Sequence, residues 1–246
     1  MVESIDGKDQ VDRELERSLK KKPWHRYLEA DLGLRNHWYP AIFSHEILEG
    51  QTKGEIIAGE RLYFKRVDGK VYCLEDRCAH RGVSFSKRPE VYSKNTITCW
   101  FHGFCYDVRD GNLVSVLSEP NSSVVGKISI KTYPVFEQHS MIFVFIGDMD
   151  PPPSIKEDMP PSFWEPNLYI RPLVRYKIKC NWRMAVENGF DQGHLYFHRN
   201  WAFAKRYGIQ QPLGTSLKNK KEVIVQDAPG GPKGIFINGS VVSWVG

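Results

Sequence analysis

The sequence has 246 residues, with 34 Lys and Arg against 29 Asp and Glu, and a formal net charge of +5. This length suits one large domain or two of ordinary size, and a hydrophobic content of 41% argues against a disordered chain. The small positive charge is not typical of a nucleic-acid-binding protein, and it suits an acidic protein partner or an anionic co-substrate. The longest apolar run, residues 141–146, is far shorter than the ~20 residues of a membrane-spanning helix, and the N-terminus lacks an apolar secretory signal. We therefore expect a cytoplasmic protein that binds neither nucleic acid nor a membrane.

An N-terminal helical segment is predicted over residues 1–36. Within residues 8–22 apolar side chains recur with helical spacing, at Val11, Leu15 and Leu19. Lysines precede Pro23, as is typical of the end of a helix. The exposed face of this helix is either a solvated lysine surface or a docking surface for an acidic partner.

Residues 37–150 have the pattern of an all-β domain, because short β-branched or aromatic segments alternate with turns. Two hairpins are predicted around the Asp-Gly turns at Asp68-Gly69 and Asp110-Gly111. A third joins a strand at 132–137 to a strand at 141–146 through the polar turn 138–140. Many short strands with frequent turns indicate a small barrel or sandwich.

Proline runs at 151–153 and 160–161 interrupt both helix and strand patterns, so we place a domain boundary at residue 150. The second domain, residues 151–246, is predicted to contain a strand at 173–179, a helix at 181–199 and strands at 221–226 and 234–246. The sequence contains no internal repeat. The predicted fold class is α+β, an all-β domain followed by part of a mixed one.

Two cysteines and two histidines stand at the ends of predicted strands, where the chain turns. Cys78 and His80 are separated by one residue, and Cys99 and His102 by two. Two such loops facing each other would supply two thiolates and two imidazoles, which suits an iron–sulfur centre whose potential is raised by the neutral imidazoles. The glycines that follow, Gly82 and Gly103, permit close backbone approach.

Two alternatives to an iron–sulfur centre remain open for these four residues. A Cys2His2 set also binds zinc, although zinc fingers and ribbons usually have other spacings. Four buried residues without a metal are the second alternative. Cys73 and Cys105 lie on flanking strands and are predicted to be packed thiols.

A second group of polar residues lies in the predicted helix 181–199. Its members fall within one stripe of the helix surface, at Asn188, Asp191, His194 and His198. Two imidazoles four residues apart can bind one cation, and Asp191 is placed to accept the second ring proton of His194. A purely structural histidine pair is the alternative.

The spacing of the first group resembles that of a Rieske [2Fe–2S] domain. This resemblance implies that Cys78 and Cys99 bind one iron and that His80 and His102 bind the other. Respiratory Rieske proteins carry two further cysteines that form a disulfide between the loops, and the corresponding residues here are Val83 and Phe101. The chain therefore resembles the oxygenase type of Rieske domain.

The second group resembles the mononuclear iron motif of Rieske non-haem iron ring-hydroxylating oxygenases. That resemblance implies that His194 and His198 bind Fe²⁺, and that Asp191 and Asn188 act in catalysis. In the family Asp191 would connect the cluster of one subunit to the iron of its neighbour, in an assembly expected to be a homotrimer. The catalytic domain is then expected to have a helix-grip-like α+β fold.

Longer segments resemble the terminal oxygenase family of carbazole 1,9a-dioxygenase; they are 33–40, 93–100, 131–135, 147–153 and 181–191. In that family the carbonyl of the residue at Gly189 accepts the substrate ring N–H. The resemblance implies a terminal oxygenase that receives electrons from an NAD(P)H-dependent reductase through ferredoxin. It would use O₂ to dihydroxylate an aromatic or N-heteroaromatic compound such as carbazole.

Two other functions are compatible with the motifs. One is a monooxygenase or demethylase acting on another aromatic or polycyclic substrate, and the other is a Rieske electron carrier without oxygenase activity. A mononuclear iron site also needs a third, carboxylate ligand. After His198 the acidic residues are Glu222 and Asp227, and neither is assigned. We therefore expect an N-terminal portion of a longer subunit, which assembles the cluster but does not hold the mononuclear iron alone; a short homologue with a defective site is the alternative.

Overall fold

The computed structural model of the protein describes residues 17, 25–168, 178–190, 206, 223–228, 231–237 and 240–242. The helix predicted at 8–22 lies outside these residues, apart from Arg17, which is helical. Of the strand predicted at 173–179, only residues 178 and 179 are described, and they are not in a strand.

The described residues form mostly short strands. The strands are β1 (His37–Phe43), β2 (Thr52–Ile57), β3 (Glu60–Val67), β4 (Lys70–Glu75), β5 (Thr96–Thr98), β6 (Phe104–Asp107), β7 (Leu113–Val116), β8 (Thr132–Tyr133), β9 (Val135–Gln138), β10 (Met141–Ile146), β11 (Val223–Ala228), β12 (Gly231–Ile237) and β13 (Ser240–Val242). The α-helices are α1 (His25–Glu29) and α2 (Trp182–Phe190), and single 3₁₀ turns lie at Ser44–Glu46, Ile155–Glu157 and Pro161–Trp164.

The strands pair antiparallel in separate small sheets, which have the strand orders β1-β10-β9, β2-β3-β4-β8, β5-β6-β7 and β11-β12-β13. The predicted all-β first domain and the α+β class are therefore confirmed. The two loops that carry the candidate site follow β4 and β5.

The hairpin predicted at Asp68-Gly69 joins β3 to β4. Both turn residues have positive φ, +51° and +75°, as a two-residue hairpin turn requires. The backbone N–H groups of both residues donate to the carboxylate of Glu49, at 2.8 and 3.0 Å. The turn is thus held from outside the hairpin as well as by its own conformation.

The other two hairpins are present, with differences from prediction. The connection from β6 to β7 is longer than the two-residue turn expected at Asp110-Gly111, because β6 already ends at Asp107. The strand predicted at 132–137 is divided at Pro134, which has no N–H to donate: β8 pairs with β4, whereas β9 pairs with β10. Gln138, predicted as a turn residue, closes β9.

Two buried clusters fill the interior of the β domain. One lies between β1, β3, β4 and β10 and contains Leu62, Phe64 and Ile142. The other lies beneath the loops after β4 and β5 and contains Phe85 and Tyr106. The second cluster therefore supports the candidate site directly.

The proline-rich segment after β10 folds back against β1. The indole N–H of Trp38 donates to the carbonyl of Pro153 at 2.9 Å, and its backbone N–H donates to Asp158 at 2.7 Å. Phe163 is buried against Phe143. The division into domains at residue 150 stays a prediction.

Beyond the prolines, the predicted helix is present as α2 over Trp182–Phe190; the remainder of 181–199 lies outside the described residues. The strand predicted at 221–226 corresponds to β11. The single strand predicted at 234–246 is two strands, β12 and β13, which pair with each other. β12 and β13 run antiparallel, which one continuous strand over 234–246 could not do.

Alanine is expected to destabilise the protein more at Gly111 than at Gly69, because the two glycines share a strained φ but only Gly111 lacks room for a Cβ. Gly111 and Gly69 have nearly the same φ, +74° and +75°, but a Cβ at Gly111 would lie 2.1 Å from the carbonyl oxygen of Ile130, whereas at Gly69 it would meet nothing within 4 Å. Gly69→Ala is expected to cost about 1 kcal/mol of unfolding free energy from φ alone. Gly111→Ala is expected to cost roughly 2 kcal/mol more, because backbone must move. Urea unfolding of both variants checks this, and equal costs would contradict it.

Candidate metal centre

The two loops that carry the cysteines and histidines have the same backbone turn. The Cys78 N–H donates to the carbonyl of Val83, and the Gly82 N–H donates to the carbonyl of Cys78, at 2.9 and 2.8 Å. In the second loop Cys99 and Gly103 make the equivalent bonds, at 2.8 and 2.9 Å, with Phe104 as the carbonyl acceptor for Cys99. The two loops are therefore related by a repeat of local geometry that the sequence spacing alone does not reveal.

Glycine is required at the fourth position after each cysteine. Gly82 and Gly103 have φ of +68° and +69°, a conformation that L side chains rarely adopt. A Cβ at Gly103 would also lie 2.7 Å from the Cβ of Leu117. The predicted role of both glycines in close approach agrees with this geometry.

The structure brings the predicted ligand residues together in pairs, cysteine with cysteine and histidine with histidine. The side chains of Cys78 and Cys99 are buried, with exposures of 1% and 2%. The imidazole centroids of His80 and His102 lie 4.7 Å apart, and His80 is exposed. His80 also lies flat on Phe104, with centroids 4.7 Å apart and an interplanar angle of 11°. The sulfur ligands thus face the interior and the imidazoles face the surface.

The two sulfurs influence each other and the tyrosine beside them. A hydrogen bond from the Cys99 thiol lowers the pKa of Cys78, and the same contact, followed by burial, raises the pKa of Cys99. The hydroxyl of Tyr106 lies 3.3 Å from Cys78 Sγ, and burial followed by this contact raises the Tyr106 pKa. The two thiols and the tyrosine hydroxyl therefore lie in one hydrogen-bonded group.

This donor set fits a two-iron cluster. In such a cluster each iron takes only two protein ligands, and the buried cysteine pair and the outer histidine pair supply two each. Within the described part of the chain, no three His, Cys, Asp or Glu side chains are grouped so as to hold a single metal ion.

Cys73 and Cys105 are separate from this arrangement. Both are buried in the β domain, and burial raises the pKa of each thiol. Cys105 contacts the hydroxyl of Thr98 at 3.3 Å. Both behave as packed thiols, which agrees with the sequence-based interpretation.

Removing the hydroxyl of Tyr106 is expected to lower the reduction potential of a cluster bound here. A hydrogen bond to a cysteine sulfur stabilises the more negative, reduced form; a difference of ~1.4 kcal/mol between the two forms corresponds to about 59 mV. Tyr106→Phe is therefore expected to shift the midpoint potential downward by about that amount in a spectroscopic redox titration. Tyr133→Phe is the matched control, since it removes a tyrosine hydroxyl that instead donates to Glu60 at 2.8 Å. Equal potentials in wild type and Tyr106→Phe would contradict the prediction.

The second predicted site is only partly described. Asp191, His194 and His198 lie outside the described residues. Asn188 and Gly189 lie on α2, and Asn188 is exposed. The grouping of these five residues into one site stays a prediction.

α2 packs against α1, a contact that sequence reasoning missed. The Arg183 guanidinium donates to the carbonyls of Tyr27 and Leu28 at 2.8 and 2.7 Å, and the Trp182 indole N–H donates to the carbonyl of Ala30 at 3.0 Å. The hydroxyl of Tyr27 donates to Glu187 at 2.6 Å, one residue before Asn188. The N-terminal segment thus holds the helix on which Asn188 and Gly189 lie.

Two family descriptions match this chain. Residues 37–134 match the Rieske [2Fe-2S] domain, and residues 145–242 match the homotrimeric ring hydroxylase family. Among the described residues, no helix is long and apolar enough to cross a membrane.

Similar proteins have both parts. The chain is 44% identical over 218 residues to the terminal oxygenase component of carbazole 1,9a-dioxygenase from Metapseudomonas resinovorans, covering 87% of this chain and 56% of that protein. The solved terminal oxygenase from Novosphingobium sp. KA1 superposes with a TM-score of 0.75 at 38% identity, covering 89% of this chain and 59% of that one. An oxygenase solved as a reduced complex with ferredoxin, in carbazole 1,9a-dioxygenase, gives a TM-score of 0.73 at 41% identity, covering 93% and 63% of the two chains.

The chain belongs to the Rieske non-haem iron ring-hydroxylating oxygenases. Within that family it is similar to the terminal oxygenases of carbazole dioxygenases, and it spans a little more than half of the length of the relatives named above. The cofactors of the family are a [2Fe–2S] cluster and a mononuclear iron, as predicted from sequence.

Proposed function

We propose that this chain is the terminal oxygenase component of a multicomponent aromatic-ring dioxygenase. The observation that carries the proposal is the pair of matching loops, in which Cys78 and Cys99 are buried and the imidazoles of His80 and His102 lie 4.7 Å apart. These four residues would hold the [2Fe–2S] cluster, and His194 and His198 would hold Fe²⁺.

The cluster supplies one-electron transfer, and the iron supplies the activation of O₂ beside the substrate. The residues of this chain would hold both in place. Exposed His80 would offer a route for electrons from a reduced donor, while buried Cys78 and Cys99 would keep their sulfurs away from water. A ferredoxin reduced by an NAD(P)H-dependent reductase is the proposed donor.

Asp191 is proposed to accept the free ring proton of His194 and so fix its orientation. Together with Asn188 it would connect the two metal centres, with the cluster in one subunit and the iron in the next subunit of a homotrimer. The carbonyl of Gly189 is proposed to accept an N–H of the substrate. An aromatic or N-heteroaromatic compound such as carbazole is the proposed substrate, and the proposed location is the cytoplasm, where NAD(P)H is available.

The main test is product formation with labelled dioxygen. The complete oxygenase subunit containing this chain, supplied with ferredoxin, reductase, NADH and carbazole, is expected to place both atoms of one ¹⁸O₂ molecule in the product. Incorporation of one atom would instead identify a monooxygenase. NADH-dependent reduction of the cluster without any oxygenated product would identify an electron carrier and overturn the proposal.

Metal analysis provides an independent test of the same proposal. Three irons per complete subunit are expected for an oxygenase, since the cluster contains two and the mononuclear site one. Two irons would favour the electron carrier, and zinc without sulfide would exclude both.

A further inference from the structure

The first cluster loop is followed by a segment whose three side chains all have specific partners. Ser84, Phe85 and Ser86 come directly after the residue that closes the loop. The two serine side chains contact each other at 3.0 Å, whereas Phe85 is 1% exposed in the core beneath the loops. We call these three residues the return segment.

The carboxylate of Asp76 accepts hydrogen bonds from both serines. It accepts the hydroxyl of Ser84 at 2.6 Å, and it accepts both the hydroxyl and the backbone N–H of Ser86, at 2.5 and 2.9 Å. Asp76 is only 5% exposed, and no cation is among these partners. Burying a carboxylate costs folding free energy unless its oxygens accept hydrogen bonds. Breaking the bonds to Ser84 and Ser86 is therefore unfavourable, and they fix the position of the return segment.

The return segment also contacts the second cluster loop. The indole N–H of Trp100, which lies between Cys99 and His102, donates to the carbonyl of Ser84 at 3.1 Å. This bond links the two loops without passing through any ligand side chain. The position of the second loop therefore depends on where Asp76 holds Ser84.

Phe85 extends the connection to the cysteine sulfur. Its ring packs edge-on against Tyr106, with centroids 5.7 Å apart, and the Tyr106 hydroxyl lies 3.3 Å from Cys78 Sγ. Gly54 on β2 leaves the space that the segment needs, because a Cβ there would lie 2.4 Å from the Cβ of Ser86. A residue that is remote in sequence thus accommodates the same segment.

We propose that Asp76 is a positioning residue for the cluster, acting through the return segment. Its carboxylate fixes Ser84 and Ser86, Ser84 fixes the second loop through Trp100, and Phe85 fixes Tyr106 against Cys78. The spacing of the cysteine and histidine pairs, and hence cluster retention and potential, follows from this network. The inference rests on the proposed function, since it requires the cluster to be present.

The test compares variants that break the network at its two ends. Asp76→Asn keeps the shape of the side chain but replaces one accepting oxygen by a donor, and Trp100→Phe keeps an aromatic ring but removes the indole N–H. Each variant is expected to lose its cluster absorbance in EDTA about tenfold faster than wild type, because one charge-assisted or buried hydrogen bond is lost. Each is also expected to shift the g values of the reduced cluster. Because both act on one network, the double variant is expected to lose the cluster more slowly than the product of the single effects predicts.

Asp107→Asn is the matched control. Asp107 is also buried, but it bonds to Arg109 within the connection from β6 to β7 and contacts neither cluster loop. It is expected to retain the wild-type g values and EDTA rate. If wild type binds the cluster and both Asp76→Asn and Trp100→Phe behave like Asp107→Asn, the inference is overturned and the proposed function stands. If wild type itself binds no iron and sulfide, the proposed function fails, and the inference with it.

Discussion

Replacing His102 by alanine is expected to abolish the visible absorbance and the reduced-state EPR signal of the protein. His102 is one of only two imidazoles at the site, and its centroid lies 4.7 Å from that of His80. One iron of a Rieske cluster has only two protein ligands, so the loss of one leaves that iron open to water and chelators. Absorbance spectra together with iron and sulfide assays on anaerobically purified protein measure the effect.

His45→Ala is the matched control for this prediction. His45 is also a histidine of the β domain; it is exposed, whereas His102 is half-buried, and it stacks on Phe43 outside the two loops. It is expected to retain the wild-type cluster content. A full complement of iron and sulfide in His102→Ala would show that this residue is not a ligand.

Asp191→Asn is expected to leave the cluster intact and to stop turnover. The sequence places Asp191 three residues before His194, and its proposed role is to orient that imidazole and to connect the two metal centres. Residues that orient metal ligands typically contribute 10- to 100-fold, so a loss of product formation of about 100-fold or more is expected when the electron connection is also broken. Steady-state product formation by the complete oxygenase with its electron donors measures the loss.

The cluster itself serves as the internal control in that experiment. Cys78, Cys99 and the two histidines are unchanged, so the spectrum of the Asp191→Asn variant is expected to match that of wild type. Turnover by the variant at the wild-type rate would show that Asp191 does not connect the two metal centres. A lost cluster signal would mean that the variant damages folding instead.

The β domain was largely predictable because its signals are local. Asp68-Gly69 adopts the positive φ values that its residue types favour, and the strands on either side pair in the expected register. The division of the strand around Pro134 was missed, because the choice between two sheets depends on long-range pairing with β4 and β10. The alternation of apolar and polar residues identifies a strand, but it does not determine which other strand pairs with it.

The pairing of the two cysteines and of the two histidines agrees with the sequence spacing, whereas their supporting contacts were not predictable. Cys78 and Cys99 each stand two or three residues from a histidine, and this pattern is visible in the sequence. The bonds from Trp100 to Ser84 and from Tyr106 to Cys78 join residues 16 and 28 positions apart, so no local pattern reveals them. The sequence signal available for the return segment was a pair of serines on either side of a phenylalanine, shortly after Asp76.

The two loops are proposed to bind a [2Fe–2S] cluster through two cysteines and two histidines. Low-temperature EPR of the anaerobically purified, dithionite-reduced protein tests it most directly. We expect a rhombic S = 1/2 spectrum with an average g value below that of an all-cysteine cluster, together with hyperfine coupling to two imidazole nitrogens in pulsed measurements. An EPR-silent, colourless protein that contains zinc, or a signal without nitrogen coupling, would contradict the claim.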